Sequence, residues 1–562
     1  MKTLLRGVLV AVLCVGILAV GSPPRAQDAP PSAAPPSATT PPAPSVLPEG
    51  PAALLEYSSE PVTYSLQDVL KSTLENNLDI QVQHYNPQIA ESLIDTQISV
   101  FSPVLNFDAR ESQDTQPSSS ELSGGLVVTN SNRYASGTYT DFFTIGSRLD
   151  FTVFTNRSST NNTFATVNPS YYSQAQITYT QSLLRNFGVG VNKTQITIAQ
   201  NNEKISRAEF RQTVMNTLSD AEKAYWLLVF TIMDQKAKEA SLKLAQDFLD
   251  QTRIKVKVGT LPPIEITQAE AQVADQEEGI ITGLAAIRAA EDNLRRLMNI
   301  PSDSPLWHQA ILPSDEPQVL EKVVDENEAI KTAMEKRPDI EQAKLDLDNK
   351  DTLVRFNKNQ KLWRLDFLGR YGASGLTGSF LPVTLVTGDP STPAGCVPIS
   401  GDPTHCIFDP PDESIASGFT QIRNRDFDTW SAELQLGIPL GTRAAKAAYV
   451  QSEYQQSQSR LTIQQLQQTI VVQVRNAVRQ IEADLKRVKA AQVNTKLQLE
   501  KLSAEQKKYE NGMSTAFQVL TFQTDLTTAR RRENLAIVDY NTDLVELDRV
   551  LGILLDTRNV SA

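Results

Sequence analysis

RIKVKVGTLPPIEITQAEAQV, residues 253–273, interrupts a long run of charged, helix-forming chain. Val258-Gly259-Thr260-Leu261-Pro262-Pro263 reads as a turn, because Gly permits φ > 0 and a Pro pair cannot sit inside a helix. One long helix therefore stops here and reverses into another.

The same hairpin is written a second time. Gly259 moved forward to Gly512 superposes the following residues without a gap: Leu284 falls on Ile537, Ile287 on Tyr540, Leu294 on Leu547, Met298 on Leu551 and Ile300 on Ile553. In the second copy Ile537, Tyr540, Leu544, Leu547 and Leu551 recur at spacings of three and four, a heptad seam for packing helices side by side. A second register aligns the start of each half. ENNLDIQVQ around Asp79 matches EKRPDIEQA around Asp339, and Leu105-Asn106-Phe107-Asp108 falls on Leu365-Asp366-Phe367-Leu368. The chain reads as an internal duplication.

Each half then has one order. A moderate helix (66–101; 325–362) precedes a strand-rich region, a very long helix (192–258; 442–511), the turn and a return helix (264–299; 515–552). At 1.5 Å per residue the long helices reach roughly 100 Å. They must bury their seams against neighbours along their length.

The strand-rich segments alternate. Trp430-Ser431-Ala432-Glu433-Leu434-Gln435-Leu436-Gly437-Ile438 is apolar on one face and polar on the other, as are Ala175–Thr180 and Leu105–Arg110. A half-buried strand in a soluble sandwich gives the same signal. Position beside the long helices, loops rich in Ser, Asn and Gly, and Trp363 and Trp430 at strand starts favour a transmembrane β-barrel with a polar lumen. If both helical ends of each half face the same compartment, each half crosses an even number of times. The second half offers 365–373 and 429–439. The first offers 104–111, 147–155 and 173–183, of which 147–155 is assigned to an extracellular extension or a long first strand. Four strands cannot close a barrel, whose smallest form has about eight, so the chain must oligomerise to hide its sheet edges.

The N-terminus reads as an address. Lys2 and Arg6 precede the apolar run Val8–Val20, and cleavage is expected after Ala26, so 1–26 is read as a secretory signal peptide. Leu13 before Cys14 argues against a lipoprotein. Residues 27–62, rich in Pro, read as an extended leader. The first repeat then covers 63–300, a linker 301–324, the second repeat 325–555 with an extracellular loop at 374–428, and a tail 556–562. The net charge of −12, scattered evenly, argues against a nucleic-acid partner. Cys396 and Cys406, close together in a loop of an exported chain, read as a disulfide; a metal site with His405 is the alternative.

The chain resembles the outer membrane efflux protein family, the TolC-like ducts of Gram-negative envelopes. The residues that carry the resemblance are NLDI and RPDI near the start of each half, QSLLRNFG and GIPLGTR at the strand-to-helix junctions, and the turns VGTLPP and YENGMST. The resemblance implies a mostly helical fold with a transmembrane β-barrel: a homotrimer whose twelve-strand barrel continues into a periplasmic α-helical barrel. It implies an outer membrane channel for efflux or type I secretion, lying in outer membrane lipid and extending into the periplasm. The implied partners are a periplasmic adaptor (membrane fusion protein) and an inner-membrane RND or ABC pump, with no cofactor. By the same resemblance Val258, Gly259, Thr260, Asn511, Gly512 and Met513 form the adaptor-docking tips. A periplasmic gate would draw on Glu265, Tyr509, Gln518 and Thr521. Gln518 and Thr521 stand where the family often has acids, Ser514 where a basic partner of Tyr509 is usual, and Ser182 where Pro is favoured. Catalysis is not expected: the three His are scattered, and no P-loop, zincin or nucleophile elbow is present. The rival reading is a soluble periplasmic coiled-coil adaptor or scaffold.

Overall fold

The computed structural model describes residues 61–118, 125–380, 384–386, 396–399, 402–408 and 414–560, with 380–408 by their backbone alone. The signal and leader expectations, 1–26 and most of 27–62, lie outside the described residues.

In chain order the first half holds β1 (Val62–Tyr64), α1 (Leu66–Asn76), α2 (Leu78–Ile98), β2 (Val104–Pro117), β3 (Val127–Phe143), β4 (Ser147–Thr160), β5 (Val167–Ser182), the short α3 (Val189–Asn192), α4 (Thr194–Lys257) and α5 (Ile264–Leu297). The second holds β6 (Ile311–Pro313), α6 (Glu326–Lys336), α7 (Pro338–Gln360), β7 (Arg364–Phe380), β8 (Thr384–Val386), β9 (Cys396–Ile399), β10 (Asp402–Phe408), α8 (Ile415–Asn424), β11 (Phe427–Gly437), α9 (Arg443–Glu510), α10 (Ala516–Leu551) and α11 (Leu554–Thr557).

The four helices of the two hairpins fall where the periodicity predicts them. The opening helices do not run unbroken over 66–101 and 325–362. Each breaks at a position that the repeat aligns, Asn77 and Arg337. Asn77 leaves helical geometry, and its side-chain oxygen accepts from the N–H groups of Asp79 and Ile80, an N-cap for α2. Arg337 is held extended, at ψ 128°, by the proline after it.

Three buried clusters hold the helices. One joins α1, α4 and α5 around Val69, Leu218, Tyr225, Leu228, Leu294 and Met298. A second joins α6, α9 and α10 around Ala333, Ile470, Val474, Ile481, Tyr540 and Leu547. The third lies near the hairpin ends, around Phe248, Leu249, Tyr509, Val519 and Leu526. The segment 301–324 is more than a linker, for it ties both halves. β6 pairs in parallel with β1. The Asp315 carboxylate accepts from Tyr225 Oη at 2.7 Å and from the Leu66 N–H at 2.7 Å, and Tyr540 Oη donates to the Leu320 carbonyl.

The largest sheet is antiparallel, in the order β11-β7-β5-β4-β3-β2. It has six strands, not four. Residues 147–155 are no extension: β4 is a full member, and β3, unread in the sequence, lies beside it. The stretch 374–428 is also more than a loop, since β7 runs to Phe380, β8, β9 and β10 form a small sheet, and α8 follows. The helices keep the same lateral order as the strands. α2 leads into β2, β5 into α4, α7 into β7 and β11 into α9, and α2 packs on α4, α4 on α7 and α7 on α9. β3 and β4 alone have no helix beneath them.

Candidate functional site

Register turns the sheet into two chemically different surfaces. Successive side chains on a strand point to opposite faces. Leu105 on β2 therefore stands beside Tyr139, Phe151, Ile177, Tyr371 and Trp430, each directly paired with the next across all six strands. The row one residue over on the opposite face reads Asn106, Thr138, Thr152, Gln176, Gly372 and Thr429. Phe107, Val153, Phe367 and Leu434 extend the apolar face. The polar face carries the pairs Arg148–Asp150 at 2.8 Å and Arg364–Asp366 at 3.2 Å, and Thr140 Oγ1 donates to Asp150 at 2.8 Å. On the face of the apolar row α8 packs over Ser173, Gly375 and Thr377, toward the β2–β3 loop; away from it the row lies open, with Phe107 78 % exposed and Trp430 76 %. Such a wall suits lipid on one side and water on the other.

Polar residues bound the apolar face at both ends. Toward the β2–β3 loop, Glu111 pairs with Arg133 at 2.8 Å, beside Arg157 and Tyr171. Toward the helices stand Asp141 and, just before β7, Trp363. The β3–β4 turn is fastened at this helical end. The Gly188 N–H donates to the Ile145 carbonyl at 3.0 Å, and Gly146, at φ +93°, lies so close to the Asn186 carbonyl that a Cβ would approach it to 2.2 Å. β3 and β4 thus traverse the full height of the sheet.

The two hairpin turns share one geometry. Gly259 has φ +80° and Gly512 φ +72°. The residue after each closes the helix end by donating five residues back, Thr260 to Lys255 at 3.0 Å and Met513 to Lys508 at 2.9 Å, a glycine-based C-cap. A Cβ on either glycine would meet open space, so only the positive φ requires Gly here. Val258 and Met513 stand about two-thirds exposed, with Ile254, Ile264 and Phe517 beside them in chain and also exposed.

Of the four candidate gate residues, Glu265 lies near Tyr509, whereas Gln518 and Thr521 stand apart on the exposed side of α10. Tyr509 is buried, not displayed. Its ring lies 5.2 Å from that of Phe248, its hydroxyl is 3.4 Å from Thr252 Oγ1, and Lys255 Nζ sits 4.0 Å over the ring while donating to the Tyr509 carbonyl at 3.1 Å. Lys255, on the first hairpin, makes the basic contact to Tyr509 that Ser514 does not. Ser514 instead donates to Glu505 at 2.6 Å and holds that carboxyl below its ordinary range, helped by Lys508. Glu265 is half-buried. One of its oxygens has no hydrogen-bond partner among the described residues, and its charge adds to the burial that pushes the Tyr509 hydroxyl up. Gln518 and Thr521 are exposed on α10. The Lys255–Tyr509 clasp was hidden from sequence reading because its members lie 254 residues apart; overlaying the two repeat turns is the one signal that brings them together.

Cys396 and Cys406 lie on the paired strands β9 and β10, where Cys406 is opposite Pro398; their side chains, and with them the disulfide, lie outside the described residues. No helix among the described residues is long and apolar enough to cross a membrane.

A family model described as outer membrane efflux protein matches residues 147–299 and 329–553. Three solved channels share the fold. The Campylobacter jejuni CmeC outer membrane channel is 13% identical, with a TM-score of 0.59 over 87% of this chain and 86% of that one. The outer membrane protein VceC from Vibrio cholerae is 13% identical, with a TM-score of 0.58 over 87% and 96%. The Neisseria gonorrhoeae MtrE outer membrane channel, in its open state, is 16% identical, with a TM-score of 0.56 over 87% and 89%. No curated protein matches the chain by sequence.

Proposed function

We propose that this chain, which belongs to the outer membrane efflux protein family, is the exit duct of a tripartite efflux or type I secretion machine, closed into a ring by three copies of itself. As a member of that family it is an outer membrane efflux channel extending into the periplasm, a transporter and not an enzyme. The finer reading starts from the edges of one chain.

The observation that carries closure is the coincidence of two unfinished edges. Among the described residues β2 and β11 end the sheet, each with one side unpaired. Each continues into a helix with an unpartnered apolar stripe. On α2, leading into β2, Leu78, Val82, Tyr85, Ile89 and Leu93 recur at spacings of four and three and are all more than half exposed. On α9, following β11, Val450, Tyr454, Leu461 and Val472 are exposed. A sheet edge with free N–H and C=O groups cannot remain open in hydrocarbon. A heptad stripe likewise needs a partner helix. One sister copy on each side supplies both. A soluble adaptor, the rival reading, gives no account of an exposed apolar row crossing six strands.

The apolar tips at Val258 and Met513 support docking of a periplasmic adaptor (membrane fusion protein), fed by an inner-membrane RND or ABC pump, since apolar side chains gathered at one end suit a protein partner. Cargo would then cross passively. The lumenal rows offer hydroxyls, amides and neutralised charge pairs, with the rings of Tyr134, Phe154 and Tyr172 stacked toward the β2–β3 loop, which keep a largely wet path. The Lys255–Tyr509 clasp between the two hairpins of one chain is the contact that opening would have to strain. Glu265, Gln518 and Thr521 would stand near that mouth.

The reading is tested by purifying the full chain in detergent, measuring the protein mass of the particle, and cross-linking Val258→Cys and Met513→Cys variants in intact cells. A particle of three chains is expected, with cross-links to a hairpin-bearing periplasmic protein that co-purifies with an inner-membrane transporter. A monomeric particle, or cross-links confined to the chain itself, would overturn it.

A further inference from the structure

The sheet is six strands wide where the helical wall beneath it is four helices wide. Strands lie about 4.8 Å apart, so at a tilt near 40° six of them occupy roughly 38 Å of circumference and four only about 25 Å. Four helices at 8–10 Å centre to centre occupy about 32–40 Å. At that tilt the six-stranded sheet matches the width of the helices it stands on.

β3 and β4 supply the difference, and they are built as wall. Their turn is fastened at the helical end, and their far ends reach the β2–β3 and β4–β5 loops, so they cross the same height as their neighbours. Tyr139 and Phe151 continue the apolar row without a break, and Thr138 and Thr152, 3.3 Å apart through their hydroxyls, continue the polar one. A hairpin that projected into water would have no use for that alternation. Because the insertion adds two strands, an even number, β5 still descends into α4 with the same face outward.

We propose that the β3–β4 hairpin widens the membrane section of the duct to the width of its helical section, so that the assembled wall has eighteen strands and its lumen does not taper at the membrane. The inference rests on closure by three copies. An eighteen-stranded ring at these spacings has a backbone diameter of about 36 Å, against about 24 Å for twelve strands. With about 5 Å of side chain on each wall, the openings are roughly 26 Å and 14 Å. The wider lumen admits bulky cargo about 20 Å across, such as a polypeptide hairpin or a branched glycan. Selection by size then falls to the hairpin tips.

Electron cryo-microscopy of the full-length particle in lipid nanodiscs tests this directly. Eighteen strands, with Ala135 and Val153 facing lipid, are expected. A trimer with twelve strands and residues 127–160 outside the wall would overturn the inference and leave the duct standing. A particle of any other copy number would show instead that the closure beneath it is wrong. Excision of residues 125–160 joins β2 to β5 in phase and should narrow the barrel from about 36 Å to about 24 Å; an unchanged diameter would also overturn it. Should the excised chain fail to assemble, the strand count of the intact protein still decides.

Discussion

The helical and strand regions of one chain are held together by opposite means. In the helices Leu218, Leu228, Leu294, Ile470 and Leu547 are almost wholly buried within a single copy. In the sheet the apolar row from Leu105 to Trp430 faces outward, and hydrogen bonds between strands do the joining. The helical region therefore carries most of its stability in the chain itself. The sheet awaits lipid on one face and a sister strand at each edge. Helical stability follows packing volume, whereas sheet stability follows solvent.

That contrast can be broken first where it should be strongest. Leu547→Ala removes a fully buried side chain from the α9–α10 seam and should cost about 2–5 kcal/mol. Thermal melting of the helical signal should move to lower temperature while resistance of the β-region to protease in lipid stays unchanged. Equal loss in both regions would mean that they do not hold separately.

A smaller effect sharpens the electrostatic side. Asp543, beside Asp484 between α9 and α10, has its carboxyl pushed up to about 7, first by burial and then by the Asp484 carboxyl it faces. A carboxyl raised in the folded state contributes stability that is complete below its ordinary value and is lost as pH rises through about 7. Helical stability should therefore be lower at pH 8 than at pH 5, by about 1 kcal/mol once the carboxyl's partial exposure is discounted. Asp543→Asn should flatten the profile, and melting curves at the two pH values check it.

The same contrast governs what the sequence disclosed. The long helices were legible because a seam repeated at three and four over tens of residues has one interpretation, and the turns because Gly259-Thr260-Leu261-Pro262-Pro263 and Gly512 stop a helix locally. β5, β7 and β11 were legible from large alternating side chains such as Ile177, Tyr371 and Leu434. β3 was not. Its outward residues include Ala135 and Gly137, too small to mark a period, and they belong to the wall only through a neighbour. The Phe107 ring lies over Gly137, where a Cβ would come within 3.3 Å of it. The helix breaks at Asn77 and Arg337 carried local signals, an Asx cap and a following proline, that the helical period of the flanking residues outweighed. The tip clasp was illegible for another reason: Lys255 gains its meaning from Tyr509 in the other half of the chain. Short-range periodicity reads elements, and only the fold reads partners.

The central claim is that the sheet separates lipid from water along alternate residues, β4 included. Its most direct test is single-cysteine labelling of Phe151→Cys, Thr152→Cys and Val153→Cys in outer membranes with a water-soluble maleimide. The account predicts that position 152 is modified while 151 and 153 resist until detergent is added. Equal labelling of all three positions in intact membranes would contradict it.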